Sequence, residues 1–201
     1  MRDLQKHWET VYGSKSDAEL SWTLSEPATS LALIAEACPA GRVIDIGGGT
    51  SSLAGRLLDR GYSVAVLDIS QTAMDRAREG MGDRATQVSR MVADVTSSPI
   101  LGSFDVWHDR AVFHFLTASV DRMAYMALLT RTVPIGGHAV IATFALDGPE
   151  KCSRLAVQRY DGSTLAAELG PRFKLLKTVP ELHHTPWGAL QSFQFSLFER
   201  V

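Results

Sequence analysis

The chain predicts an α/β fold, a parallel sheet covered by helices on both faces and finished by an antiparallel pair. Three observations carry this. Apolar runs of strand length alternate with helix-like segments through most of the sequence. A triple glycine, Gly47-Gly48-Gly49, stands between one such run and a segment of helical spacing. Near the C-terminus the alternation stops, and two extended runs follow with no helix between them, which favours antiparallel pairing.

Taken in order, residues 1–40 read as helical and amphipathic, with Trp8, Tyr12 and Trp22 along them. Arg42–Ile46 is the first strand. Ser51–Arg60 is the helix after it, with Leu53, Leu57 and Leu58 at helical spacing and Gly61 ending it. Ser63–Asp68 is the second strand, and Gln71–Gly80 a helix for which Ser70 is the N-cap. Gln87–Ala93 is a short third strand, interrupted by Ser89 and Arg90. Phe104–His108 is the fourth. Ser119–Thr132 is a long helix broken by Pro134 and Gly136-Gly137, and His138–Phe144 is the fifth strand. Thr164–Leu169 is a short helix closed by Gly170. Phe173–Val179 and Gln191–Arg200 are the last strands, joined through a turn-rich HHTPWG segment that holds His183 and His184. No repeat, low-complexity tract or linker marks a second domain. Residues 1–201 therefore read as one domain, a helical cap over 1–40 on a core over 41–201.

Composition excludes several classes. At 201 residues, 45% hydrophobic and 21% charged, the chain is an ordinary globular domain able to bury a full core. A net charge of -2 argues against a non-specific nucleic-acid or anionic-membrane surface. No apolar run approaches the roughly 20 residues of a membrane helix, and the first residues lack a signal-peptide core. Cys38 and Cys152 lie far apart with no CxxC, so neither a disulfide framework nor a cysteine zinc site is expected. The expectation is a cytoplasmic enzyme with free thiols and no metal.

Chemistry concentrates where VIDI meets the glycines. Such a strand–turn–helix brings a ligand close to bare backbone. Asp45, inside the strand, discriminates between ligands. A dinucleotide places its pyrophosphate at this turn, where a carboxylate repels it, and Ser52 occupies the position of the third glycine of that fingerprint. S-adenosylmethionine carries an ammonium and a sulfonium, which a carboxylate attracts. Asp68, at the carboxyl end of the second strand, supplies the paired acceptors that ribose hydroxyls need.

These motifs, in this order, resemble the class I S-adenosylmethionine-dependent methyltransferases. They stand here as VIDIGGGTSSLA, VLDIS with Asp68, VADV with Asp94, DVWHDRAVFHFL and the turn PIGG. The resemblance spans residues 40 to 200. It extends to small bacterial members with an N-terminal HWE…Y (His7-Trp8-Glu9, Tyr12) and a C-terminal HTPWG (His184 to Gly188). It implies a Rossmann-like, seven-stranded mixed sheet of order 3-2-1-4-5-7-6, with strand 7 antiparallel.

The resemblance also implies roles. Asp45, Gly47, Gly48 and Gly49 would hold the methionine part of the cofactor. Asp68 would hold the ribose, and Ile69, Asp94 and Val95 the adenine. Asp109 and Arg110 would lie beside the methionine moiety and the substrate, or simply pair with each other. Trp22, with Trp8 and Tyr12, would either pack the cap or turn aromatic faces to the sulfonium. Methyl transfer needs a base only if the acceptor must lose a proton; Asp109, His114 and His184 are the candidates. The expected acceptor is a small molecule. A protein lysine, or a cofactor-binding module without turnover, remains the alternative, and a nucleic-acid substrate is not expected because the Asn-Pro-Pro-aromatic signature is absent.

Overall fold

The centre of the sheet is made by runs that are apolar on both faces, as a strand covered by helices on either side requires. The computed structural model describes residues 2–97 and 102–201. Strand β1 (Arg42–Ile46) pairs in parallel with β2 (Ser63–Asp68) on one side and β4 (Val106–Arg110) on the other. Strand β3 (Val88–Val92) extends the sheet beyond β2, and β5 (His138–Phe144) extends it beyond β4. The hairpin of β8 (Phe173–His184) and β9 (Leu190–Arg200) closes the edge, β9 running antiparallel to β5. The order is β3-β2-β1-β4-β5-β9-β8, seven strands with the last in sequence antiparallel to its inner neighbour, as the resemblance implies. A separate two-stranded ribbon, β6 (Lys151–Cys152) with β7 (Leu155–Ala156), was not foreseen, being too short to carry a periodic signal.

Alternation along the strands sends side chains to two cores. Val43, Val64, Val106 and Val140 meet α2 (Ala28–Ala37), α3 (Leu53–Asp59) and α4 (Gln71–Met81) through Leu31, Ile34, Leu57 and Met74. Ile44, Ala65, Trp107 and Ile141 face the other way onto α5 (Ser119–Thr132) and α6 (Gly162–Leu169) through Tyr125, Leu129 and Leu165. Leu129 is fully buried, so truncating it to Ala would cost about 2–5 kcal/mol. Ser70 caps α4, its hydroxyl accepting from Ala73 N at 3.1 Å. No described helix is long and apolar enough to cross a membrane.

Most boundaries shift by a residue or two from those expected, and two of the differences matter for the site. The fourth strand runs from Val106 to Arg110 rather than Phe104 to His108. Its entry is set by Asp105, whose carboxylate accepts from Arg42 N at 2.7 Å, so Phe104 lies outside the ladder and His108, Asp109 and Arg110 lie inside it. The C-terminal hairpin is also longer than expected. His183 pairs with Gln191 and His184 with Leu190, so both histidines belong to β8 and not to the turn.

Candidate active site

The carboxyl ends of β1, β2 and β4 form the edge where an open α/β sheet binds ligands. At that edge Gly47 and Gly49 adopt φ values of +66° and +49°, the left-handed region. Their neighbours leave no room for side chains. A Cβ on Gly47 would strike Val112 and one on Gly49 the Tyr12 hydroxyl; on Gly48 it would meet Val66 Cγ1 at 2.6 Å and Asp45 Oδ2 at 2.7 Å. The turn is held by Gly47 N donating to Leu67 O at 2.6 Å and Gly49 N donating to Asp68 Oδ2 at 2.9 Å.

The main cavity lies between this edge and α1 (Arg2–Ser14). Asp68, Ile69, Asp94 and Val95 line it. Asp68 is buried and also accepts from Ser70 N at 2.8 Å; burial pushes its carboxyl up to about 6 against those hydrogen bonds. Asp94 accepts from Thr96 N at 2.8 Å and Thr96 Oγ1 at 2.7 Å. Much of the remaining lining is aromatic. Trp8 stands edge-to-face with Phe115 at 5.2 Å and with Trp22 at 5.6 Å between ring centroids, and Tyr12 with Trp22 at 6.1 Å.

Helix α1 carries Trp8 and Tyr12, and charged side chains reciprocally clamp it onto α4. Glu9 accepts from Gln71 N at 2.6 Å, Thr72 N at 3.1 Å and Ser70 Oγ at 3.1 Å, occupying the orphan donors at the α4 N-terminus. In return Arg76 of α4 donates to Tyr12 O at 2.9 Å and Lys15 O at 2.8 Å, satisfying carbonyls at the end of α1.

A second, polar chamber adjoins the first and shares Gly47, Trp22 and Arg110 with it. Asp45, His108, Ser30, Thr50 and Ser51 line it. Asp45 is 3% exposed, and its Oδ1 lies 2.7 Å from His108 Nδ1; His108 Nε2 lies 2.9 Å from Ser30 Oγ. Arg110 donates from Nη1 to Trp22 O at 2.9 Å, stacks 4.7 Å from the centre of the Phe193 ring and stands 3.9 Å from Glu181. Burial lowers its guanidinium to about 10, partly offset by Glu181. Cys152 lines the main cavity, and burial pushes its thiol up to about 11. Among the described residues no group of three or more His, Cys, Asp or Glu could hold a metal ion.

The structure therefore brings Gly47, Asp68, Ile69, Asp94, Val95, Arg110 and Trp22 to the main cavity, and Asp45, Gly48, Arg110 and Trp22 to the polar one. Gly49 lines neither but holds Asp68. Three expectations need correction. Asp109 is fully buried and faces α5, because the two-residue shift of β4 puts it inside the strand. Its carboxylate accepts from Tyr125 Oη at 2.7 Å, Val112 N at 2.9 Å and Phe113 N at 3.1 Å, pinning a turn in which Ala111 has φ +72°. His114 is fully buried between Phe115 and Phe144, accepts from Phe144 N at 3.3 Å, and is pushed by burial down to about 3, too weak a base for the expected role. His184 is exposed and lines neither cavity; strand alternation turns His183 inward instead, its Nε2 2.5 Å from Ser21 O. His108, Ser30 and Glu9 had no assigned role in the sequence reading. Only the HWE motif pointed to one of them.

Comparison with known proteins agrees with this geometry. Residues 43–137 match the family model described as a methyltransferase domain. The chain is 27% identical over 165 residues to a 2-heptyl-1-hydroxyquinolin-4(1H)-one methyltransferase of Mycobacteroides abscessus, covering 75% of this chain and 72% of that protein. It is 26% identical over 161 residues to an eEF1A lysine and N-terminal methyltransferase of Danio rerio, but covers only 23% of that protein against 77% of its own length. Among solved structures, one concerned with converting a disulfide bond into a thioacetal group during echinomycin biosynthesis superposes with a TM-score of 0.81 at 22% identity, over 98% of this chain and 92% of the other. The N-methyltransferase NodS of Bradyrhizobium japonicum, in complex with S-adenosylhomocysteine, superposes with a TM-score of 0.74 at 16% identity, over 98% of each chain. At these identities the superpositions establish the fold.

Proposed function

We propose that this S-adenosylmethionine-dependent methyltransferase of class I fold acts on a small, flat, largely apolar acceptor. The aromatic lining of the main cavity carries the reading. Trp8, Tyr12, Trp22 and Phe115 offer ring faces and edges to a planar molecule, while Asp68 and Asp94 in the same cavity offer acceptors to a nucleoside. The hydroxyquinolone methyltransferase relative, which has a bicyclic acceptor in its name, points the same way.

The residues fit the cofactor on their own chemistry. Side chains at Gly47, Gly48 and Gly49 would collide with Val112, Val66 and Asp45, and Tyr12, so the turn is kept to bare backbone. Asp68 would accept from the ribose hydroxyls, Ile69 and Val95 would flank the adenine, and Asp94 would accept from its amino group. Asp45 would accept from the ammonium at the methionine end, with Arg110 and Trp22 beside it. Bound S-adenosylmethionine supplies a methyl group on a sulfonium, an activated electrophile. The protein's part is alignment and exclusion of water, with α1 and the aromatic wall closing the reacting end. Of the titratable groups against the aromatic wall, Tyr12, Arg110 and Cys152, none is a base at neutral pH: burial pushes the Tyr12 hydroxyl and the Cys152 thiol up, and Arg110 stays a cation. This favours an acceptor that arrives with a free lone pair or loses its proton to solvent.

A lysine side chain is the second reading, favoured by the zebrafish relative. The mild acidity of the chain disfavours nucleic acid, and the free thiols Cys38 and Cys152 suit a reducing, cytoplasmic setting. Incubation of the protein with methyl-labelled S-adenosylmethionine and a cell extract separates the readings. Label in an organic-extractable small molecule supports the first, a single labelled protein band the second, and cofactor affinity without any labelled product would leave a binding module.

A further inference from the structure

Asp45, His108 and Ser30 form a buried relay that no sequence motif announced. Asp45 sits on β1 and His108 directly opposite it on β4, while Ser30 comes from the first turn of α2. The exposures are 3%, 2% and 1%, and the contacts are 2.7 Å and 2.9 Å. A carboxylate only accepts, so Nδ1 carries the proton that faces Asp45. Nε2 then accepts from the Ser30 hydroxyl when the imidazole is neutral and donates to it when the imidazole is charged. The order is that of a hydrolytic triad, but Ser30 is only 1% exposed where it borders the polar chamber. The relay serves the acid. Its Oδ1 is taken by His108, which turns Oδ2 to the glycine turn, 2.7 Å from where a Cβ on Gly48 would stand. Among the described residues Oδ2 has no hydrogen-bond partner.

We propose that His108, braced by Ser30, is a positioning residue for Asp45, and that the N–H it gives to Oδ1 sets how strongly the site holds the ammonium of the cofactor's methionine end. This rests on the methyltransferase reading and on the assignment of Asp45 to that ammonium. Held by that N–H, the carboxylate keeps Oδ2 turned to the glycine turn. Without it the side chain can rotate, and the acceptor moves off the ligand. The other charged groups around the pair are Asp68 on β2 and Asp109 and Arg110 on β4, whereas β5 contributes apolar Val140 and α2 contributes Ser30. Asp68 faces the ribose end.

The test separates these contributions by ligand. S-adenosylhomocysteine carries the amino-acid end, whereas 5′-methylthioadenosine shares its nucleoside and lacks that end. Both are titrated calorimetrically into wild type, His108→Asn and His108→Leu under one set of conditions. His108→Asn keeps an N–H for Asp45, so its ratio of the two affinities should stay within about threefold of wild type. His108→Leu loses that N–H and should hold S-adenosylhomocysteine about tenfold or more weakly, with 5′-methylthioadenosine bound as in wild type. An asparagine variant as weak as the leucine variant, or a leucine variant that weakens both ligands alike or neither, would overturn the relay. Failure of wild type to bind S-adenosylhomocysteine would overturn the cofactor assignment itself. Should His108→Leu not fold, the asparagine variant and the two ligands still decide.

Discussion

Asp109 offers the sharpest test of how the site is built, because sequence and structure assign it different work. Replacing it with Ala removes the acceptor for three buried donors, the Tyr125 hydroxyl and the Val112 and Phe113 amides. An orphaned buried donor costs about 1–3 kcal/mol, and partial collapse around the shortened side chain recovers some of that, so the expected loss is about 3–5 kcal/mol. For a chain of this length that lowers the melting temperature by roughly 6–20 °C. Asp109→Asn retains one acceptor oxygen and should lose only about 1–2 kcal/mol. The pH dependence has a definite sign. Burial pushes the Asp109 carboxyl up to about 6, above the ordinary value of 3.8. Its contribution is thus fully present below the unfolded value and is lost as pH rises through about 6. The alanine variant should therefore suffer more at about pH 5 than at about pH 8 relative to wild type. Urea unfolding at the two pH values, with S-adenosylhomocysteine titration of whatever remains folded, measures both. An alanine variant with the wild-type unfolding midpoint and no ligand binding would refute the argument and place Asp109 against the ligand.

Other expectations follow from the same geometry. Glu9→Ala empties the acceptor at the start of α4 and should cost about 1–2 kcal/mol; because α1 carries Trp8 and Tyr12, S-adenosylhomocysteine affinity should fall about threefold to tenfold. Burial raises the Glu9 carboxyl, but the Thr72, Gln71 and Ser70 hydrogen bonds outweigh it and hold it low. Its stabilisation is thus present above the unfolded value and lost as pH falls through the folded one, which acid titration of the unfolding midpoint in wild type and variant would reveal. Gly49→Ala forces a left-handed alanine, about 1–2 kcal/mol, and pushes a Cβ onto the Tyr12 hydroxyl; ligand affinity should drop, and adding Tyr12→Phe should restore part of it in the same titration. The Cys152 thiol, pushed by burial up to about 11, should alkylate slowly at neutral pH and more slowly still with a cavity ligand bound. Mass-spectrometric rates of iodoacetamide labelling, with Cys38 as the internal comparison, check this.

Strand and helix periodicity is a local property, and it placed β1, β2, β5 and α5 at the residues where the structure has them. The cap at Ser70 and the glycine turn were equally legible, because each depends on backbone geometry within a few residues. The strand order needed the resemblance. Tertiary structure decided the rest. Whether Asp109 reaches ligand or core turns on a two-residue displacement of β4, set by Asp105 meeting Arg42 far away in the chain. Which of His183 and His184 points inward depends on the pairing of β8 with β9, since shifting a strand by one residue exchanges its faces. The partners of Asp45 lie on β4 and α2, and those of Glu9 on α4. The sequence alone determined which chemical groups were present and the elements that carry them. Which groups meet is fixed by register and packing between segments distant in the chain, information that no local pattern contains.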